Sequence, residues 1–201
     1  MGGVLGAPYK KMKEQKFILT DIDGVCFDWA KQFRKFLAYY HPTVELEDPT
    51  ANFKHVKHIM EEFCVSAWMG WCEPLRDSVE ILSKFKQEGY ELHACTAMGF
   101  DPYAIALRRI NLERFFPNIF SRVDTTEMDE HATKSNWLEQ YRDKDCVWVE
   151  DKWANALCGA QMGIKTFLMR QPYNAQYNDS RITKVDNWQQ VYYYIKNNDR
   201  Y

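Results

Sequence analysis

The stretch that decides the fold is Lys16–Asp28, which has the sequence Lys-Phe-Ile-Leu-Thr-Asp-Ile-Asp-Gly-Val-Cys-Phe-Asp. Its apolar run, Phe17–Leu19, shows no alternation and predicts a strand buried on both faces of a parallel sheet. Asp21 and Asp23 follow two residues apart, and on extended backbone their side chains point the same way. Ligands of open α/β sheets bind at the carboxyl ends of the strands, so the pair predicts a site there.

The chemistry of this carboxylate pair follows from its charge. Two like charges this close repel unless a cation or a shared proton relieves them, which predicts metal binding, acid/base chemistry or both. Gly24 allows the chain to turn sharply beside a ligand. The same Asp-x-Asp-Gly pattern also occurs in solvated turns and calcium loops. An EF-hand needs further oxygen ligands, and Val25, Cys26 and Phe27 break that pattern.

Length and composition narrow the class of protein. The 201 residues suffice for one large domain, or for a core with a small insertion, and 46% hydrophobic with 27% charged residues is typical of a soluble globular protein. A net charge of −2 and the lack of a dense basic run argue against a nucleic-acid polymer as partner. No apolar run approaches transmembrane length, so no membrane association is expected. Residues 1–15 are predicted to be a flexible tail.

The six cysteines show neither a CxxC motif nor the spacing of a zinc site. Several lie in apolar, strand-like runs, where a reduced cysteine behaves as a small core residue. This usage predicts reduced thiols and a cytoplasmic protein.

The order of periodic segments predicts an α/β fold with a helical insertion. Apolar spacing predicts helices over 29–40 and 53–70, an acidic, proline-containing loop over 42–54, and no strand between 29 and 73. Alternation follows, with a helix from Pro74, then strands at 90–95, 119–123, 146–149 and 165–169, and helices at 102–112, 134–142, 152–162 and 187–196. The prediction is a Rossmann-like parallel sheet sandwiched by helices. Its core comprises 16–28 and 74–201, and 29–73 forms a small helical cap after the first strand.

Five further residues, at three places in the chain, carry candidate chemistry. Thr96 and Ala97 end the second strand, where a hydroxyl and nearby backbone N–H groups can bind a phosphoryl oxygen, although most such threonines only cap or turn. Lys134 opens a helix against the helix dipole, which suits either a solvated face or a lysine that reaches an anionic site. Glu150 and Asp151 follow a buried strand, and such adjacent acids suit Mg²⁺, a cation that prefers oxygen ligands.

Together these motifs resemble the haloacid dehalogenase superfamily of aspartate-nucleophile phosphotransferases. The resemblance implies that Asp21 attacks phosphorus and that Asp23 serves as general acid and base. It further implies that Thr96, Ala97 and Lys134 bind the phosphoryl group. The implied cofactor is Mg²⁺, with Asp21, Asp23 (through its backbone carbonyl), Glu150 and Asp151 as the candidate metal residues, and with the choice of direct ligand between the last two left open.

A narrower resemblance is to the 5′(3′)-deoxyribonucleotidase branch. It rests on the helical insertion, on Glu73-Pro74, and on the ending Gln171-Pro172-Tyr173-Asn174 with Arg181 and Trp188. The chain departs from that branch at Val25–Asp28 and at Thr96–Met98. The branch implies a nucleoside monophosphate as substrate, which aromatic side chains of the insertion help to enclose. Phe27 and Trp29 are the candidate rings for the base because they lie nearest the first motif in the sequence.

Other functions stay open at this point. Within enzymes, the alternatives are phosphatases of a sugar phosphate or of a polynucleotide end, the latter disfavoured because no basic run is present. The non-enzymatic alternative is a binding module of the same fold, although such modules usually lose an acid of the first motif, and both acids are present here. The sequence leaves the oligomeric state open, with a homodimer as one alternative.

Overall fold

The computed structural model describes residues 15–44, 53–129 and 131–198. The predicted tail lies outside these ranges except for Gln15, and the predicted loop over 42–54 is described only at its two ends. In these ranges the strands are β1 (Phe17–Thr20), β2 (Glu91–Ala97), β3 (Phe120–Thr126), β4 (Cys146–Glu150), β5 (Lys165–Met169) and β6 (Ile182–Val185). The helices are α1 (Trp29–Tyr40), α2 (Phe53–Cys64), α3 (Ser78–Gln87), α4 (Pro102–Phe115), α5 (Ser135–Leu138), α6 (Trp153–Gln161) and α7 (Trp188–Asn198).

The six strands form one parallel sheet in the order β3-β2-β1-β4-β5-β6. Thr20, the last residue of β1, pairs with Ala94 of β2 and with Val149 of β4. The residues that follow these three strands therefore meet at one edge of the sheet. The predicted fold class is confirmed.

Residues 29–73, which we call the cap segment, contain α1, α2 and a short 3₁₀ turn at Met69–Trp71. Their apolar faces do not form a separate core. Phe33 and Phe63 from these helices belong to the same buried cluster as Ile18 of β1 and Phe85 of α3. The cap segment is thus fixed to the sheet by shared apolar packing, which is the main stabilising contribution in such clusters.

The larger differences from the prediction are two helix boundaries and one additional strand. The second cap helix ends at Cys64, where the Ser66 hydroxyl donates to the Phe63 carbonyl. Helix α3 begins at Ser78 and not at Pro74, because Pro74 forms an isolated bridge with Phe27. Strand β6 was not predicted, since Ile182–Val185 is short and carries two polar residues at its centre.

Two composition-based predictions can be compared with the structure directly. All six cysteines are free thiols. Among the helices of the described ranges, none combines the length and the apolar character that crossing a bilayer requires.

Candidate active site

Asp21 lies directly after β1, at the edge where the strand ends converge. Its backbone N–H donates to the Val149 carbonyl at 2.9 Å, which extends the ladder by one residue toward β4. Its Oδ1 accepts from the Ile22 N–H at 2.6 Å and lies 2.7 Å from the Lys134 Nζ. These contacts fix the carboxylate in one orientation. Burial, and secondly the nearby Glu150, raise the pKa of Asp21.

Lys134 is buried between two carboxylates. Its Nζ also lies 3.0 Å from Oε2 of Glu150, and its backbone N–H donates to Oδ1 of Asn155 at 3.1 Å. Burial alone would lower the pKa of Lys134, but Asp21 and Glu150 outweigh that effect and raise it. The ammonium therefore stays charged. The sequence left two alternatives open for Lys134, and the structure places its side chain buried against the acids and not on a solvated face.

Glu150 ends β4, Asp151 follows it, and both lie beside Asp21. Glu150 is fully buried, and its Oε1 accepts the N–H groups of Asp151 and Lys152 at 3.1 and 3.0 Å. Burial raises the pKa of Glu150 as well as that of Asp151, the latter to about 6, with Asp21 as the second cause for Asp151. One oxygen from each of Asp21, Glu150 and Asp151 lies within 4.8 Å of the other two.

This acidic group fits a divalent cation. Three carboxylates share one ammonium, so the group keeps a net negative charge when all are ionised. Burial is the main cause of the raised pKa values, and repulsion between the acids adds to it. All the candidate ligands are oxygens, the donor type that Mg²⁺ prefers. A cation bound here would offset that negative charge.

Asp23 is directed to different partners from those of Asp21. Its Oδ1 forms an ion pair with the Arg108 guanidinium, and its Oδ2 accepts from the Thr96 hydroxyl at 3.3 Å. The predicted repulsion between the two aspartates is therefore relieved by two separate cations, Lys134 for one and Arg108 for the other. Arg108 was not predicted. Its sequence signal is weak, since it lies in a helix with no marked apolar face.

Gly24 brings the backbone of the first motif against the acidic group. Its φ is +78°, in the left-handed region that favours glycine, and a Cβ built there would overlap the Asp151 carboxylate. Only glycine fits such a close approach. The following turn then returns Phe27 to pair with Asp23 in an isolated bridge.

That turn places Phe27 in the core. Its ring is fully buried and lies edge-on against Phe115 and Phe116, with centroids 6.0 and 5.2 Å away. The expectation that Phe27 faces the substrate is therefore wrong. Local sequence could not reveal this, because the direction of the ring is set by the tight turn at Gly24 and not by strand alternation.

A cavity of about 390 Å³ opens over Asp21 and Asp23. Trp29 lines it and stacks on Phe33 with centroids 4.8 Å apart, and the exposed Ala97 lines it at the end of β2. Most other lining side chains are apolar or aromatic; they include Met60, Met98, Met128, Trp153 and Tyr177. The volume is in the range of small-molecule sites.

Comparisons with known proteins bear on the fold. No family model matches the chain. An uncharacterized 32.4 kDa protein from the Gp30-rIII intergenic region of Enterobacteria phage T4 is 30% identical over 120 residues, which cover 53% of this chain. The match spans only 43% of that relative's length.

Solved structures resemble nearly the whole chain. A predicted phosphatase from Clostridium acetobutylicum superposes with a TM-score of 0.66 at 15% identity, covering 92% of this chain and 100% of that one. A HAD-hydrolase from Bacillus subtilis bound to magnesium superposes with a TM-score of 0.61 at 11% identity. The match covers 91% of this chain and 99% of that one. D,D-heptose 1,7-bisphosphate phosphatase from Burkholderia thailandensis superposes with a TM-score of 0.56 at 14% identity. The match covers 90% of this chain and 99% of that one.

The fold is that of the haloacid dehalogenase-like phosphatases. In this chain the acidic group lies at the carboxyl ends of the central strands, the edge at which open α/β sheets bind ligands, and the Lys134 ammonium reaches it from the start of α5. The agreement concerns architecture, because the identities are low.

On this haloacid dehalogenase-like scaffold, the segment after β5 supplies site contacts to which the sequence assigned no role. The Tyr173 hydroxyl bonds Oδ2 of Asp151, and the Asn174 Nδ2 donates to the Asp151 carbonyl at 2.8 Å. Gln171 Nε2 donates to the Gly24 carbonyl at 2.9 Å. The other two residues of the branch resemblance lie elsewhere: Arg181 pairs with Asp179 on the surface, and Trp188 is buried and donates to the Val25 carbonyl.

Proposed function

We propose that this protein is a Mg²⁺-dependent phosphomonoester hydrolase that works through a phosphoryl group carried on Asp21. The observation that carries the proposal is the contact set of Asp21: a buried carboxylate at a strand end, 2.7 Å from a buried lysine and grouped with two further acids. A carboxylate nucleophile needs this environment, because the approaching phosphate is also an anion.

For the metal, we propose Asp21, Asp151 and the backbone carbonyl of Asp23 as direct ligands. Asp151 lines the cavity, whereas Glu150 is fully buried and already bonds Lys134 and two backbone N–H groups. This difference supports Asp151 over Glu150 as the direct ligand, with Glu150 holding Lys134. A bound Mg²⁺ supplies positive charge that lets the carboxylate and the phosphate approach each other.

In the first step, a carboxylate oxygen of Asp21 bonds to phosphorus while the bond from phosphorus to the leaving oxygen breaks. Asp23, which is protonated in the proposed substrate complex, gives this proton to that oxygen, so the product leaves as an alcohol. In the second step a water bonds to phosphorus, Asp23 takes the proton from the water, and the bond between phosphorus and Asp21 breaks. Inorganic phosphate leaves and both aspartates return to their starting state.

Lys134, Thr96 and the N–H of Ala97 are proposed to hold the phosphoryl oxygens. Lys134 already lies against Asp21, and Thr96 against Asp23, so both positions border the point where phosphorus would be transferred. Donors fixed before the reaction stabilise charge that develops in the transition state.

The proposed substrate is a nucleoside monophosphate, selected by the cap segment. Trp29, Met60 and Cys64 of that segment line the cavity together with other apolar side chains. A flat base gains about 1–3 kcal/mol from an aromatic contact, whereas a bare sugar has little apolar surface to bury. A sugar phosphate is the second candidate, favoured by the structural likeness to a heptose bisphosphate phosphatase.

The test is a panel of nucleoside monophosphates and sugar phosphates assayed with Mg²⁺, on the wild type and on Trp29→Ala. We expect kcat/KM for nucleotides to exceed that for ribose 5-phosphate by one to two orders of magnitude, and Trp29→Ala to remove most of the difference. The control is Tyr39→Ala, on the same helix but 70% exposed and outside the cavity lining. Equal rates on both classes would remove the nucleotide assignment, and hydrolysis of neither would favour a binding module.

A further inference from the structure

Arg108 is a buried cation on α4 that contacts the proposed acid/base residue. Its side chain is 1% exposed, and Nη2 forms the ion pair with Oδ1 of Asp23. The same nitrogen lies 3.3 Å from the sulfur of Met69 in the cap segment, and Nη1 donates to Oδ1 of Asn111 at 3.0 Å. One guanidinium thus touches the first motif, the cap segment and its own helix.

Asn111 extends this contact set to the backbone of the cap segment. It is fully buried, and its Nδ2 donates to the carbonyl of Cys72 at 2.9 Å and to that of Gly70 at 3.3 Å. The amide oxygen of Asn111 accepts the hydrogen bond from Arg108. The Arg108–Asn111 pair therefore lies between the Asp23 carboxylate and the turn at residues 69–72, and it bonds both.

Fold stability alone does not account for Arg108. Among the side chains of the described ranges, its Nε is the one fully buried nitrogen or oxygen that lacks a hydrogen-bond partner. Leaving such a group unpaired is costly, and a buried ion pair is often no more stabilising than an apolar side chain of similar volume. The Cζ of Arg108 lies 5.3 Å from the centroid of the Phe27 ring, so an apolar residue could fill this space and pack against that ring.

We infer that Arg108 is a positioning residue that holds the Asp23 carboxylate for proton transfer and, through Asn111, ties its position to the cap segment. Arg108 binds Oδ1 and Thr96 binds Oδ2, so the plane of the carboxylate is set from both sides. Proton transfer requires hydrogen-bond distance to the leaving oxygen, and a carboxylate free to rotate spends less time there. The inference rests on the proposed function of Asp23.

The experiment compares two esters that differ in their need for an acid. The leaving group of p-nitrophenyl phosphate departs as a stable anion, whereas benzyl phosphate has to be protonated as it leaves. Both are measured as kcat/KM with Mg²⁺ on the wild type and on Arg108→Met, with Arg109→Met as the matched control, since Arg109 is the exposed neighbour on the same helix. For each ester, kcat/KM reports the steps up to the transfer of the phosphoryl group to Asp21.

We expect Arg108→Met to lower kcat/KM about 10²-fold or more on benzyl phosphate and less than about tenfold on p-nitrophenyl phosphate, with Arg109→Met unchanged. A merely structural role predicts the same loss on both esters, and that result, or no loss at all, would overturn the inference while leaving the proposed function in place. If the wild type hydrolyses neither these esters nor any nucleoside monophosphate or sugar phosphate of the panel, the proposed function fails, and the inference fails with it.

A second variant keeps the test decisive if Arg108→Met does not fold. Arg108→Lys keeps the charge, but a single ammonium lacks the fork that reaches Asp23 and Asn111 together. We expect the same dependence on the leaving group with a smaller loss. Circular dichroism is used to check that Arg108→Lys is folded. If its ratio of kcat/KM on benzyl phosphate to kcat/KM on p-nitrophenyl phosphate equals that of the wild type, the guanidinium fork has no positioning role.

Discussion

The Nζ of Lys134 lies 2.7 Å from Oδ1 of Asp21, and both side chains are buried. An ammonium in this position can hold the nucleophile and bind a phosphoryl oxygen. Lys134→Met keeps the apolar packing of the chain but removes the charge. Because a fixed donor to the transition state typically contributes about 2.7–4 kcal/mol, we expect kcat to fall roughly 10²-fold or more on the folded, Mg²⁺-loaded protein.

The control for this prediction is Lys35→Met, since Lys35 is exposed on the cap segment. Removing one partner of a buried pair also costs about 3–5 kcal/mol of stability, so the melting temperature is measured alongside. A variant that is less stable but has wild-type kcat/KM would show that Lys134 only balances the acids.

The second prediction concerns the metal. Ligand binding to the native state stabilises it by about 2.7 kcal/mol at a concentration 100-fold above Kd, which for a chain of this size raises the melting temperature by roughly 5–10 °C. Asp151→Asn should lose most of the Mg²⁺-dependent rise, while its melting temperature in EDTA stays equal or higher, because one repelling carboxylate is gone. Asp143→Asn, on the surface, serves as the control. An unchanged Mg²⁺ response in Asp151→Asn would argue against Asp151 as a ligand.

The third prediction concerns pH. Burial raises the pKa of Asp151 to about 6, above its unfolded value of about 3.9, and Asp21 and Glu150 shift in the same direction. The metal-free native state therefore holds protons that the unfolded state has released, so in EDTA the free energy of unfolding should fall as pH rises from about 4 to 6.

Mg²⁺ has to displace those protons, so its affinity should rise over the same window. From Asp151 alone we expect the affinity to be about tenfold weaker at pH 5 than at pH 7.5, measured by calorimetry. In Asp151→Asn the Mg²⁺ affinity should depend less on pH. An affinity that does not change with pH would contradict the raised pKa.

The fourth prediction separates two effects at Gly24. Gly24→Ala and Gly163→Ala place a Cβ at the same φ of +78°, but only at Gly24 would it meet the Asp151 carboxylate, since nothing lies within 4 Å at Gly163. Backbone strain of about 1–2 kcal/mol should appear in both variants. Activity and the Mg²⁺ response should fall in Gly24→Ala alone. Equal behaviour of the two would mean that the close approach has no role in the site.

Much of the central site follows from sequence because strand ends are predictable. Asp21, Glu150 and Asp151 each follow a buried apolar run, and the ends of parallel strands converge whatever the rest of the chain does. For Lys134 the sequence signal is its place at the start of a helix, near the same edge of the sheet. The fold class and the grouping of these four residues could therefore be anticipated.

The residues that escaped prediction depend on tertiary packing. Arg108 and Asn111 are polar residues buried in a helix, and apart from each other their partners lie in segments distant along the chain. Tyr173 stood out in the sequence by resemblance, yet its contact with Asp151 needs the turn after β5. Phe27 was assigned to the cleft on its proximity in sequence alone.

The central claim is that Asp21 carries the phosphoryl group, and the most direct measurement is to trap it. The Mg²⁺-loaded protein is mixed with p-nitrophenyl phosphate, quenched in acid within the first turnover, reduced with borohydride and digested. Mass spectrometry should then find Asp21 converted to homoserine in the wild type, and unmodified peptide in the Asp21→Asn variant. Turnover by wild-type protein with no modification at Asp21, or undiminished turnover by Asp21→Asn, would contradict the account.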